Sequence, residues 1–219
     1  MQPITRQASG TAKSCAFGAL RFAPAAPHFH VKQHMQKMRR FDLSFARLVG
    51  KPCWGVKRGF GSFLTMEFGE PHLEVREARV SNAESKKVRD LMARRMVTVR
   101  GEWHLWIYCC DWSVFDDSGK LVGDTSSKRA IDRAAKYLDG QALVASALIP
   151  RGMRTVWEFD QGATLKTKPF NREDRQWMLY EPEGKVLALR ADKHYCYGPG
   201  NREPDKERWL PIKERRRDP

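Results

Sequence analysis

The sequence predicts a strand-dominated α+β fold in which two pseudo-repeated antiparallel β-meanders are joined by a helix, with one further helix inserted in the first meander. Three observations lead to this prediction: a tryptophan-rich stretch at residues 101–112, a set of motifs that recurs in the same order, and two segments with helical features. With 219 residues, the chain is long enough to bury a substantial core.

Residues 101–112 are predicted to form one central strand. They include three tryptophans, one tyrosine, one isoleucine and two cysteines, which favour β-structure. Successive side chains of a strand point to opposite faces, so one alternating set is expected in the core and the other half-covered. The expected core set is Trp103, Leu105, Ile107 and Cys109, and the half-covered set is His104, Trp106, Tyr108 and Cys110.

Several short motifs occur twice. Leu138-Asp-Gly-Gln141 resembles Leu48-Val-Gly-Lys51, and Trp177-Met-Leu-Tyr180 resembles Trp103-His-Leu-Trp106. Gly-Lys turns at Gly119 and Gly184 each precede an apolar strand. These correspondences predict a first unit at 41–124, a connecting helix at 125–139 and a second unit at 140–197. The alternative is that the two units are not related, and that ordinary strand–turn–strand spacing imitates a duplication.

Two helices are expected among the strands. Residues 81–96 begin with Ser81 and have Glu84 three positions later, the pattern of a capping box. Residues 125–138 begin with a serine cap, carry an apolar face and are followed by Gly140, which favours the end of a helix. The apolar face of this connecting helix is formed by Ile131, Ala134, Ala135 and Leu138.

The net charge of +14 lies mainly at the two ends of the chain. Residues 1–40 contain seven basic residues and no acidic ones, and residues 211–219 contain four basic and two acidic ones. Residues 41–210 therefore have 29 basic and 24 acidic side chains. We expect residues 1–40 to be a disordered or mis-assigned extension and residues 198–219 to be a basic tail, from which only 209–212 dock.

Five cysteines with no Cys-x-x-Cys pair indicate free thiols, a reducing compartment and a cytoplasmic location. The same spacing does not support a zinc site, and no cofactor is expected. No apolar run is long enough to predict a membrane span.

The motifs of the second half resemble those of uncharacterised bacterial proteins with tandem strand-rich units. The residues that carry the resemblance are Leu138-Asp-Gly-Gln141, Trp157-Glu-Phe-Asp160, Gly162, Trp177-Met-Leu-Tyr180, Gly184-Lys-Val-Leu187 and Asp192. Some of those proteins are similar to toxin-immunity proteins. The resemblance covers about residues 41–197 and implies a fold and a bacterial origin, but no catalytic residue.

The leading functional hypothesis is a non-enzymatic protein-binding module, because seven tryptophans exceed what a core of this size needs. The contact residues are predicted to be Trp106, Tyr108 and Trp112. One alternative is nucleic-acid binding, for which the candidates are Lys86, Lys87, Arg94 and Arg95. A second alternative is an enzyme centred on His104 and Asp111, with Asp116 nearby, in which a histidine–carboxylate pair acts as acid and base.

Overall fold

The computed structural model describes residues 40–171 and 173–212, which form three α-helices and twelve β-strands. The helices are α1 (Arg40–Leu48), α2 (Lys86–Met92) and α3 (Lys128–Leu138). The strands are β1 (Cys53–Arg58), β2 (Leu64–Arg76), β3 (Met96–Ile107), β4 (Cys110–Asp116), β5 (Gly119–Gly123), β6 (Leu143–Ile149), β7 (Arg154–Phe159), β8 (Thr164–Pro169), β9 (Arg175–Glu181), β10 (Lys185–Arg190), β11 (His194–Pro199) and β12 (Trp209–Pro211). The predicted N-terminal extension lies outside these residues except for Arg40, as does the end of the predicted tail.

The strands pair antiparallel in two sheets, which confirms the strand-dominated α+β class. One sheet has seven strands in the order β1-β2-β3-β9-β10-β11-β12, and the other has five in the order β5-β4-β8-β7-β6. The chain passes from the first sheet to the second between β3 and β4, and returns between β8 and β9. Both predicted units therefore contribute strands to both sheets.

A single hydrophobic core is shared by the two sheets and the helices α1 and α3. Its largest side chains are four tryptophans, two from each sheet: Trp103 and Trp177, and Trp112 and Trp157. Trp157 and Trp177 meet across the core with ring centroids 5.8 Å apart. Close packing of this kind makes the sheets one unit.

Helix α3 lies within the segment for which the sequence predicted a helix. The Ser127 hydroxyl caps its first turn by accepting a hydrogen bond from the Ala130 N–H. Its predicted apolar face is buried, and Gly140 follows it with a φ of 92°, a backbone conformation that favours glycine. The buried residues are Ile131, Ala134, Ala135 and Leu138.

Helix α1 was not predicted from the sequence. Its apolar residues Phe41, Phe45 and Leu48 follow helical spacing and are buried. Phe45 contacts Trp157 of one sheet and Trp177 of the other, with ring centroids 6.4 and 5.8 Å away. The helix therefore packs against both sheets.

The end of β9 is joined to α1 by the buried carboxylate of Glu181. Nη2 of Arg40 and the hydroxyl of Ser44 donate to it over 2.8 and 2.5 Å. The Tyr197 hydroxyl donates over 3.3 Å, and Nη1 of Arg47 lies 3.6 Å away. Because a buried charge is costly without partners, this cluster fixes the position of α1.

The prediction of one strand over 101–112 is wrong. β3 ends at Ile107 and β4 begins at Cys110 in the other sheet. Trp103, Leu105 and Ile107 are buried as expected, but the alternation shifts at the break, so that Cys110 is buried and Cys109 is half-buried. The change of sheet breaks the alternation that a continuous strand would keep.

The inserted helix is shorter than predicted. α2 contains only seven residues and begins after Ser85, so Ser81 and Glu84 do not form the expected capping box at its start. None of its residues is buried. α2 lies in the connection between β2 and β3, beyond the end of the sheet.

The far ends of β2 and β3 extend past their neighbouring strands as a two-stranded ribbon, which we call the arm and define as residues 71–76 and 96–101. β1 pairs with β2 only at residues 64–68, and β9 pairs with β3 only at residues 104–107. At the base of the arm the β2–β3 register shifts, and Gly101 approaches β2 so closely that a Cβ there would lie 2.6 Å from the Phe68 carbonyl oxygen.

At the opposite edge of the sheet, β12 pairs with β11, which confirms that residues near 209 dock on the fold. The guanidinium of Arg190 lies 4.6 Å from the centre of the Trp209 ring. The contact has cation–π geometry.

Candidate functional site

A buried carboxylate, Glu67, lies on the face of the seven-stranded sheet opposite the shared core, which we call the outer face. Nδ1 of His104 is 2.9 Å from one of its oxygens, and Nη1 of Arg100 donates to the same oxygen over 3.0 Å. The backbone N–H of Gly101 donates to the other oxygen over 3.1 Å. Strand pairing creates this group, since Glu67 is directly opposite His104 in the β2–β3 register.

Electrostatics favour an ionised Glu67. Burial opposes its charge, but hydrogen bonds and charge interactions with His104, together with hydrogen bonds from Gly101 and Arg100, outweigh burial and lower the pKa of the carboxyl. Burial likewise opposes the charge of Arg100, but its bonds to Glu67 and Glu74 raise its pKa. An ionised carboxylate only accepts hydrogen bonds, so the Nδ1 of His104 carries a proton in this pair.

His104 lines an open cleft of about 580 Å³ at the base of the arm. The cleft lies between β3 and the turn at Pro182–Gly184 that follows β9. Tyr180 stands beside His104, with ring centroids 5.6 Å apart, and burial raises the pKa of its hydroxyl. The volume is within the range of about 300–1,000 Å³ that ligand-binding clefts occupy. Other lining residues include Arg100, Glu102, Trp106 and Glu183.

Two of the three predicted contact aromatics form a cluster beside the cleft. Trp106 and Tyr108 are half-buried with ring centroids 5.1 Å apart, and Phe63 lies 4.5 Å from Tyr108. The prediction for Trp112 is wrong because its side chain is only 1% exposed. Its indole N–H donates to the Ser62 carbonyl over 2.7 Å, and the rest of the ring faces the core from β4.

The arm exposes an aliphatic stripe on the same face of β3 that supplies the core. Leu73 is paired with Val99, and Val75 with Val97. These side chains are 67%, 52%, 53% and 58% exposed, in that order. The opposite face of the arm is polar, and Nε of Arg100 donates to Glu74 there over 3.0 Å. The arm is therefore amphipathic, and its apolar side is open.

The four basic candidates for nucleic-acid binding lie on and after α2 and are exposed: Lys86, Lys87, Arg94 and Arg95. Lys86 pairs with Asp90 over 2.7 Å, and Arg95 pairs with Glu77 over 2.9 Å. Acidic neighbours therefore neutralise part of this charge.

The histidine–carboxylate pair differs from the one suggested by the sequence. His104 bonds to Glu67, whereas Asp111 lies on β4 in the other sheet and pairs with Lys168 over 3.1 Å. Asp116 accepts hydrogen bonds from Ser118 in the turn after β4. The pairing of His104 with Asp111 is thus corrected to His104 with Glu67.

The four described cysteines are free thiols: Cys53, Cys109, Cys110 and Cys196. Burial raises the pKa of Cys53 to about 12 and also raises the pKa of Cys110. The Cys53 thiol donates to the Leu138 carbonyl, and the Cys110 thiol donates to the Gln176 carbonyl. These protonated thiols serve packing, since nucleophilic chemistry requires the thiolate. Cys15 lies outside the described residues.

Sequence reasoning missed Glu67, Arg100 and Tyr180 as members of the site. The alternation of residues 63–68 predicts that Glu67 lies opposite Leu64, Met66 and Phe68, but it does not identify the partner strands. Only the register of three strands places Glu67, His104 and Tyr180 in one row.

Within the described ranges, no cluster of histidine, cysteine, aspartate and glutamate has the geometry to hold a metal ion. None of the helices in that part of the chain is long and apolar enough to span a bilayer.

Comparison of the chain with protein-family models, curated proteins and solved structures found no significant match.

Proposed function

We propose that the protein is a non-enzymatic protein-binding module of bacterial origin, possessing an immunity-like role. The observation that supports this function best is the open aliphatic stripe of the arm. Four neighbouring aliphatic side chains are uncommon on a surface that faces only water, whereas contiguous apolar patches of this kind are typical of interfaces.

The stripe continues the core face of the seven-stranded sheet beyond the second sheet. A two-stranded ribbon is only marginally stable in water on its own, because it buries little apolar surface. A partner that covers Leu73, Val75, Val97 and Val99 would extend the core and stabilise the ribbon. This reasoning favours a protein surface over a small polar ligand.

We also assign Trp106 and Tyr108 to a second contact surface on the outer face. Both rings combine a large apolar surface with a polar group. Side chains of this kind are common at interfaces because one part can pack against apolar groups while the other forms hydrogen bonds. Their half-buried state and their contact with Phe63 hold the rings in place, so little conformational entropy would be lost on binding.

The function is tested by capture of a partner from the source cell with immobilised wild-type protein and variants. Val97→Thr/Val99→Thr keeps the side-chain shape but makes the stripe polar, and we expect it to weaken capture by about tenfold or more. Thr98→Val is the matched control on the other face of the arm and should leave capture unchanged. Equal capture by all three proteins would refute the role of the arm.

Nucleic-acid binding is distinguished by its salt dependence. A complex that depends on Lys86, Lys87, Arg94 and Arg95 should weaken steeply as salt increases, because bound counterions are released from the nucleic acid. Protein binding through the aliphatic stripe should persist in moderate salt. A salt-sensitive nucleic-acid complex that is unaffected by Val97→Thr/Val99→Thr would favour the alternative.

The His104–Glu67 pair supports a catalytic alternative in which Nε2 of His104 accepts a proton in the cleft. Glu67 would orient the ring and stabilise its charged form. Tyr180 carries the one hydroxyl among the described residues that line the cleft, so the base would act on water or on a proton of the substrate. A turnover that His104→Ala abolishes while partner capture is retained would favour this alternative.

We infer that the chain consists of two related halves. The Gly50 N–H donates to the Leu143 carbonyl over 2.7 Å, and the Gly140 N–H donates to the Cys53 carbonyl over 2.8 Å, a reciprocal pair of contacts. The order β1-β2-β3-β9-β10 in one sheet parallels β6-β7-β8-β4-β5 in the other. This equivalence matches Trp177 with Trp112 rather than with Trp103, and it supports an internal duplication.

A further inference from the structure

We propose that the open edge of β3 in the arm binds an extended segment of another protein as an additional β-strand. The proposal rests on the proposed protein-binding function and specifies how the partner binds. Strand addition uses main-chain hydrogen bonds for affinity and alternate side chains for specificity.

The edge is open because β9 stops early. β9 pairs with residues 104–107 of β3 and ends at Glu181, where Pro182 starts a turn away from the strand. In the described chain, residues 96–101 of β3 pair with β2 on one side only. An added strand would occupy the line that β9 leaves and convert the two-stranded arm into a three-stranded sheet.

The backbone groups on this edge follow from the pairing of β3 with β9. The Tyr108 N–H, one residue past the end of β3, donates to the carbonyl of Gln176 in β9, so even-numbered residues direct their backbone groups to this side. Backbone groups of alternate residues point to the same side of a strand. Thr98 and Arg100 therefore direct their N–H and C=O groups toward the open edge, whereas Val97 and Val99 direct theirs toward β2.

The cleft gives the added segment room to enter. It borders β3 at Arg100, Gly101 and Glu102, and its walls include Trp106 and Tyr180. The segment would enter between β3 and the Pro182–Gly184 turn and then run along the arm.

The surroundings of the edge define the chemistry of the segment. Every second side chain would lie beside Val97 and Val99 and should be aliphatic. A strand antiparallel to β3, like β9, would end near the tip of the arm. Residues 76–95 at this tip contain seven basic and three acidic side chains, so carboxylates should follow the aliphatic residues in the segment.

The test uses a short dye-labelled synthetic peptide of alternating valine and threonine followed by two glutamates, with binding measured by fluorescence anisotropy. Thr98→Pro removes one N–H from the open edge and keeps the β2–β3 ladder, because proline is tolerated at an edge strand. Thr98→Val changes the side chain but retains the N–H. We expect wild type and Thr98→Val to bind equally and Thr98→Pro to bind about tenfold more weakly, the effect of losing a main-chain hydrogen bond.

Equal binding by Thr98→Pro would overturn strand addition, as would no binding by wild type. If light scattering finds a dimer that Thr98→Pro converts to a monomer, a second copy occupies the edge and the proposed foreign segment is wrong. Partner capture that Val97→Thr/Val99→Thr does not weaken would instead count against the protein-binding function, so the two failures can be told apart. Circular dichroism of Thr98→Pro confirms that the fold is retained.

Discussion

At the scale of the residue, Glu67 shows how hydrogen bonds can offset the burial of a charge. Its carboxylate is buried, which is unfavourable for a charge, but it receives hydrogen bonds from Arg100 and Gly101 and contacts His104. These partners more than offset burial, so the pKa of the carboxyl lies below its ordinary value. The site therefore holds a fixed negative charge at neutral pH, and His104 is oriented by it.

The lowered pKa predicts a pH-dependent contribution to stability. The contribution of Glu67 is fully present above the ordinary carboxyl pKa of 4.5 and is lost as the pH falls through the lower folded-state pKa. The free energy of unfolding of wild type should therefore exceed that of Glu67→Gln most clearly near neutral pH. The difference should shrink below pH 4.5 in denaturant titrations.

Glu74→Gln is the control, since it removes an exposed carboxylate that bonds to the same Arg100. A difference between wild type and Glu67→Gln that stays constant at acidic pH would contradict the assignment.

Replacing each of the two vicinal cysteines by serine should lower the free energy of unfolding by different amounts. Cys110 is buried in the core, whereas Cys109 is half-buried in the link between β3 and β4. Cys110→Ser should lower the free energy of unfolding by ~1–3 kcal/mol because a hydroxyl costs more to bury than a thiol and loses the apolar contacts of the sulfur. Cys109→Ser should change it by less than ~0.5 kcal/mol. Thermal and urea unfolding of both variants checks this, and equal costs would contradict the placement of the two thiols.

At the scale of the element, α1 and the arm depend on different forces. α1 is held by buried aromatic rings and by the charged cluster at Glu181. The arm has its β2–β3 ladder but no such packing on its aliphatic face. Local stability should thus be high in α1 and lower in the arm, and a partner would stabilise the arm most.

Removing the carboxylate of Glu181 tests whether the charged cluster holds α1 in place. Glu181→Ala leaves the guanidinium of Arg40 and the hydroxyl of Ser44 without their carboxylate, and we expect a loss of about 1–3 kcal/mol in the free energy of unfolding. Glu183→Ala removes an exposed carboxylate two positions later and should cost less than about 0.5 kcal/mol. Chemical denaturation measures both. Similar losses in the two variants would show that the cluster does not anchor α1.

The elements differ in how well the sequence predicts them. α3 has a serine cap, a wide apolar face and a closing glycine, and these local features predict its position well. α1 is short, and its stability comes from distant residues such as Trp157, Trp177 and Glu181, so local pattern does not identify it. The break at 108–109 was missed for the same reason. An alternating pattern predicts extended backbone but not the sheet that each strand joins.

At the scale of the whole molecule, the two halves of the chain exchange strands. β4 of the first half pairs with β8 of the second and carries β5 on its other side, while β9 and β10 of the second half continue the sheet begun by β1, β2 and β3. The site depends on this exchange, because Tyr180 on β9 completes the row that contains Glu67 and His104. The motifs of both halves are recognisable in the sequence, but the sheets that they share depend on long-range pairing and are not.

Strand exchange predicts that the halves do not fold separately. Fragments 40–124 and 125–212 should each lack a cooperative thermal transition, because each leaves strands without partners and core residues without cover. The chain 40–212 should unfold in one transition when measured by both circular dichroism and tryptophan fluorescence. Cooperative unfolding of either fragment alone would show that the halves are independent domains.

The exchange of strands also has a consequence during translation. When the first half has emerged from the ribosome, β3 and the β4–β5 hairpin still lack their partners β9 and β8, because these strands are encoded later in the chain. Trp103 and Trp112, both buried in the finished core, would remain accessible over that interval. A nascent chain in this state exposes apolar surface and open strand edges, so it should be a substrate for ribosome-associated chaperones until the second half emerges.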